Sequence, residues 1–212
     1  MKTSSRLGGA LAIATGAALS LGSSVALAQV VNFQGSTDGC FGMACVPATG
    51  TAIWDGLTFS DSTFNVNSAM NGKAAIGNGP GTPNFNNLGS FTLSGSPFEY
   101  PVTPFSLKVT FTAPSGTSPN FVIVSSSVDG SVISTDNGGI FVDFDNTPQA
   151  FAFDAGTFNL FLNDISLTAG YSIAVSGRIQ AVTTPIPEPE TYALLMAGLA
   201  AVGFMSRRRK KA

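Results

Sequence analysis

The chain contains no histidine. That removes the commonest general base and the commonest metal ligand. No Gly-x-Ser-x-Gly elbow occurs either, so a serine nucleophile would lack both its turn and its base. Cysteine is limited to Cys40 and Cys45, and a zinc site built on this pair would find no further Cys or His to complete it. Cations are scarce between the two ends of the chain. From Gln29 to Pro185 the basic residues are Lys73, Lys108 and Arg178. They face Asp38, Asp55, Asp61, Glu99, Asp129, Asp136, Asp143, Asp145, Asp154 and Asp164. The formal net charge of -2 hides this imbalance, because the termini hold the other cations. An acidic middle of this kind argues against nucleic acid and against an anionic membrane surface as partners. Long helical periods and internal repeats are missing too, which excludes a helical bundle or a solenoid.

What the middle does have is Gly, Ser, Thr, Asn and Phe, the last at 17 copies. Apolar residues alternate with polar ones, the signature of half-buried strands. In the run 105–112, Phe105, Leu107, Val109 and Phe111 share one face and Ser106, Lys108, Thr110 and Thr112 the other. The same phase joins Phe91 with Leu93, Phe151 with Phe153, and Phe158 with Leu160 and Leu162. It also predicts one strand over 171–179, with Tyr171, Ile173, Val175 and Ile179 inward. The runs 120–124 and 139–144 read as more fully buried strands. Gly and Asn pairs separate the runs. Asp129-Gly130 predicts a tight hairpin turn, and 71–87 a single long loop. The fold class that follows is all-β, an antiparallel β-sandwich or jelly roll over residues 29–182.

The two ends are different in kind. Lys2 and Arg6 precede an apolar stretch that runs from Leu7 to Leu21, and Ala26 and Ala28 then supply small residues for a signal peptidase. The reading is a signal peptide over 1–28, with a helical apolar core, export through the Sec machinery, and cleavage before Gln29. An exported pair of cysteines five residues apart is expected to form a disulfide, Cys40 with Cys45. At the other end, residues 183–191 form an extended linker holding Pro187, Glu188 and Pro189. Residues 192–206 carry no charge and are rich in helix formers, a short transmembrane helix. As a helix, residues 191–206 reach roughly 24 Å, short of a bilayer core of about 30 Å. Such a span suits transient anchoring in the inner membrane. Arg207, Arg208, Arg209, Lys210 and Lys211 follow as a basic cytoplasmic tail over 207–212, which fixes orientation because cationic clusters resist translocation.

Pro187-Glu188-Pro189, the apolar helix and the basic cluster, in that order, resemble the PEP-CTERM sorting signal of Gram-negative bacteria. The same tail also goes by the name ice-binding protein C-terminal domain, a label that does not imply ice binding. The resemblance implies processing by exosortase, a membrane-embedded cysteine protease, with cutting near residues 187–190. It further implies release or attachment at the cell surface, often in the exopolysaccharide or biofilm layer.

Within the middle, three arrangements are candidates for chemistry. Asp143 and Asp145, at i and i+2 on a strand, point to one face, and hard oxygen pairs suit Ca²⁺. Asp136 and Asn137 are placed to approach from the preceding turn. The plainer reading of these residues is a solvated strand end. Trp54 offers an aromatic platform for a glycan, or else ordinary packing. Asp55 with Asp61, like Asp143 with Asp145, is formally a glycosidase-type carboxylate pair. The expectation is a non-enzymatic exported surface or matrix protein with no obligatory cofactor, and the alternative is a glycan- or calcium-binding module.

Overall fold

The computed structural model describes residues 30–77, 86–183 and 194–202. Apart from a helical stretch at 194–202, its regular structure is all β and antiparallel. In chain order the first strands are β1 (Asn32–Phe41), β2 (Thr51–Trp54), β3 (Leu57–Ser60), β4 (Ser62–Asn67), β5 (Lys73–Ile76), β6 (Ser90–Leu93) and β7 (Phe98–Ala113). They are followed by β8 (Phe121–Ser134), β9 (Asn137–Phe144), β10 (Gln149–Phe153), β11 (Gly156–Leu162), β12 (Ile165–Thr168), β13 (Ser172–Ala174) and β14 (Gly177–Thr183). A six-stranded sheet has the order β12-β9-β8-β7-β1-β4. Two four-stranded sheets have the orders β10-β11-β14-β5 and β13-β6-β3-β2.

The large sheet packs its inner face on both smaller ones. Toward β10-β11-β14-β5, Phe111 meets Phe151 and Phe158 at 4.9 Å between ring centroids, and Phe33 meets Phe158 at 5.0 Å. Toward β13-β6-β3-β2, Phe105 lies 5.0 Å from both Phe59 and Phe91. Each fully buried Phe contributes about 1.5–3 kcal/mol, whereas a partly exposed ion pair such as Lys108–Asp38 contributes about 0–1 kcal/mol. The rings therefore hold the layers together. Gly35 and Gly39 on β1 make room for them. A Cβ at Gly39 would fall 2.3 Å from Phe59 Cδ1 and 2.8 Å from Phe105 Cζ. One at Gly35 would fall 2.5 Å from Phe64 Cζ.

Alternation gave the inward phase correctly in many strands. Phe91, Leu93, Phe105, Leu107, Val109, Phe111, Phe151, Phe153, Phe158, Leu160 and Leu162 are all buried. Four expectations need correction. The 171–179 run is two strands, β13 and β14, in different sheets, with Tyr171 exposed. The chain changes layer at Val175, whose N–H and C=O bond Gly89 and Leu88. Asp129-Gly130 is not a turn. It lies inside β8, where Val128, Gly130 and Val132 keep the inward phase opposite β9, and the reversal comes at Thr135-Asp136. The stretch 71–87 is not all loop: Ala74 and Ile76 alternate inward in β5, which pairs with β14. Finally, 120–124 and 139–144 are not fully buried. Phe121, Ile123 and Phe141 lie on the outer face, because Val124, Val128, Ile140 and Val142 already fill the inner one.

Candidate functional site

β3 belongs to one sheet and β4 to another, and Asp61 is the single residue between them. Its carboxylate secures this corner. Oδ1 accepts the Gly39 N–H at 3.3 Å, and Oδ2 accepts the Gly50 N–H. Beside it, the Ser62 N–H donates to Thr37 Oγ1 at 3.2 Å. Asp38 is buried on β1 with its Oδ2 3.4 Å from Lys108 Nζ. Thr37, Asp38, Asp61 and Ser62, together with Ser36, Thr49 and Thr63, line a pocket of about 300 Å³. Burial pushes the Asp61 carboxyl above 3.8. The Gly50 amide opposes the rise, the Asp38 charge adds to it, and the Gly39 amide opposes it. The corner thus offers two carboxylates within a ring of hydroxyls, a surface suited to polar, hydroxylated ligands.

This pairing was not visible in the sequence. Asp55 sits in the β2–β3 turn with φ 43°, at the opposite end of β3 from Asp61. The acid that faces Asp61 is Asp38, 23 positions earlier and on another strand. Only the β1–β4 register, in which Thr37 opposes Ser62, brings them together.

Trp54 ends β2 half-buried, with Tyr100, Phe41 and Phe98 rings at 5.2, 6.0 and 6.2 Å. The Tyr100 hydroxyl donates to the Asp55 carbonyl at 2.6 Å. Burial, then the Asp55 charge, raises the Tyr100 pKa above 10.0. A disulfide joins Cys40, in β1, to Cys45 in the loop that follows.

Asp143 lies on the exposed face of β9, opposite Ser127. Asp145 has left the strand, and its Oδ1 accepts the Thr147 N–H at 2.9 Å. The hydrogen bonds from the Thr147 side chain and backbone hold the Asp145 carboxyl below 3.8. Asp136 and Asn137 are at the far end of β9 rather than beside Asp143. The acid that reaches this strand end is Asp164, whose Oδ1 accepts the Phe144 N–H at 3.0 Å and whose Oδ2 accepts from Asn146 Nδ2 at 3.3 Å. Among the described residues, no group of three or more His, Cys, Asp or Glu is placed to hold a metal ion.

Besides Tyr171, the residues that the sequence reading placed in the core and the fold turns outward are Phe121, Ile123 and Phe141. They are 46%, 48% and 43% exposed. Phe121 is also held from one side, with Lys108 Nζ 5.6 Å from its ring centroid. The signal that marks them is an apolar residue in the outward phase of a strand whose inward phase is already apolar.

Residues 194–202 are helical and exposed along their whole length. No helix among the described residues is long and apolar enough to cross a membrane. Ala26, Ala28, Gln29, Pro187, Glu188, Pro189 and Arg207 to Lys211 lie outside the described residues. In the comparison with protein families, the PEP-CTERM protein-sorting motif matches residues 185–210. No curated protein and no solved structure matches the chain.

Proposed function

On the premise that residues 185–210 are a PEP-CTERM protein-sorting motif, we propose that this chain is a non-enzymatic component of the cell surface or extracellular matrix. The motif marks an exported protein with an exosortase-sorted tail. On our reading, residues 1–28 are removed on export. Residues 192–206 hold the chain in the inner membrane, with Arg207 to Lys211 on the cytoplasmic side. Cutting near residues 187–190 then delivers a β-sandwich cargo to the exopolysaccharide layer. The absence of histidine from the sequence supports a structural or binding role over catalysis. The single observation that carries the proposal is the motif match.

Intact mass spectrometry of the protein recovered from the surface of producing cells tests it. The expected species begins at Gln29 and ends between residues 187 and 190. Recovery of surface protein that still carries Arg207 to Lys211 overturns the proposal. Glycan binding is the second reading, favoured by the aromatic rings exposed on a polar sheet.

A further inference from the structure

We propose that the outer face of the six-stranded sheet binds a neutral polysaccharide strand, with Phe121 and Phe141 as its two stacking platforms. Along β8 the outward residues after Phe121 and Ile123 are Ser125, Ser127, Asp129, Ser131 and Ile133. Asp129 is paired with Phe141 on β9. The two rings are therefore separated by eight residues along the strand, about 27 Å at 3.4 Å per residue. Between them, after Ile123, runs a strip with the hydroxyls of Ser125 and Ser127, flanked on β7 by Ser106 and Thr110.

This pattern discriminates among occupants. A pyranose ring presents apolar C–H faces and equatorial hydroxyls, so it needs isolated flat rings with donors and acceptors between them. A second copy of the chain would need a contiguous apolar centre, whereas the exposed apolar residues of this face, Phe121 with Ile123 toward one end and Phe141 with Ile133 toward the other, are split by Ser125, Ser127 and Asp129. An anionic polymer would need cations. The cation facing this strip is Lys108, already paired with Asp38 at 3.4 Å, while Asp129 and Asp143 are exposed. Lys108 also fixes Phe121. Its ammonium lies over one face of the ring, 5.6 Å from the centroid, a cation–π attraction, so part of the ordering is done before a ligand arrives. The corner pocket with Asp38 and Asp61 adjoins the same strip through Asp38.

The inference rests on the surface-matrix reading only for where the protein meets glycan. Its test is independent of tail processing. The full chain, purified in a mild detergent, is run through native gels containing a β-glucan, a galactomannan or a xyloglucan, and through gels containing polygalacturonate or alginate. Retardation in at least one neutral gel and in neither acidic gel is expected. Phe121→Ala with Phe141→Ala should weaken that retention at least about tenfold, or about 1.4 kcal/mol, with an unchanged thermal midpoint. No retardation in any neutral gel, retention in acidic gels, or retention indifferent to the double substitution each overturns the inference. So does a dimer in sedimentation that the same substitutions dissolve, since the face would then be an interface between copies. Correct trimming by mass together with no glycan retention sinks this inference and leaves the sorting proposal intact.

Discussion

The two faces of the six-stranded sheet carry the same residue type to opposite ends. On the inner face, Phe105 is fully buried between Phe59 and Phe91. On the outer face, Phe121 is nearly half exposed, held by Lys108 alone among the described ring contacts. β7 and β8 are adjacent strands, so the contrast arises from phase and not from location. A phenyl ring in the inward phase has lost its water and gained ring neighbours. One in the outward phase keeps an apolar surface in solvent, which adds little to stability and suits a ligand.

Substitution of Phe105 by Ala should separate the faces most strongly. A cavity between the two layers costs about 3–5 kcal/mol, against about 0.5 kcal/mol or less for Phe121→Ala. Urea unfolding of the two variants measures both. Similar losses would mean that Phe121 is part of the core after all. Gly39→Ala comes next. Its methyl meets the Phe59 and Phe105 rings, and overpacking of this kind costs about 1–3 kcal/mol. A thermal midpoint equal to the parent's would show that β1 does not need the gap.

The smallest effect concerns two acids. Asp61, half-buried at the corner, has its pKa raised by burial first and by the Asp38 charge. The stability it contributes is fully present below 3.8 and is lost as pH rises through its folded value. Asp145, fully exposed, has its pKa lowered by the Thr147 hydrogen bonds. Its contribution is present above 3.8 and is lost as pH falls through its folded value. Carboxyl-carbon NMR titration should therefore find Asp145 releasing its proton at lower pH than Asp61. The reverse order would remove the distinction between corner and strand end.

Strand existence and phase were legible wherever apolar and polar residues alternate strictly, as in 105–112. They were ambiguous where both phases are apolar, as in Phe121-Val122-Ile123-Val124, because periodicity cannot then say which side is in. β5 was hidden by its Gly- and Asn-rich flanks, and the Asp129-Gly130 pair imitated a turn. Of the corner pocket, Asp61 was noticed but assigned the wrong partner. Two carboxylates on separate strands become neighbours only through register, which no local pattern encodes.

The sequence by itself determined the sorting motif, the acidic and histidine-free middle and the all-β class. Each depends on composition or on order along a few adjacent residues. Tertiary structure alone decided which strands share a sheet, where the chain crosses between layers at Asp61 and Val175, and which Phe residues face water. Those depend on long-range pairing, where a side chain's environment is set by strands dozens of residues away.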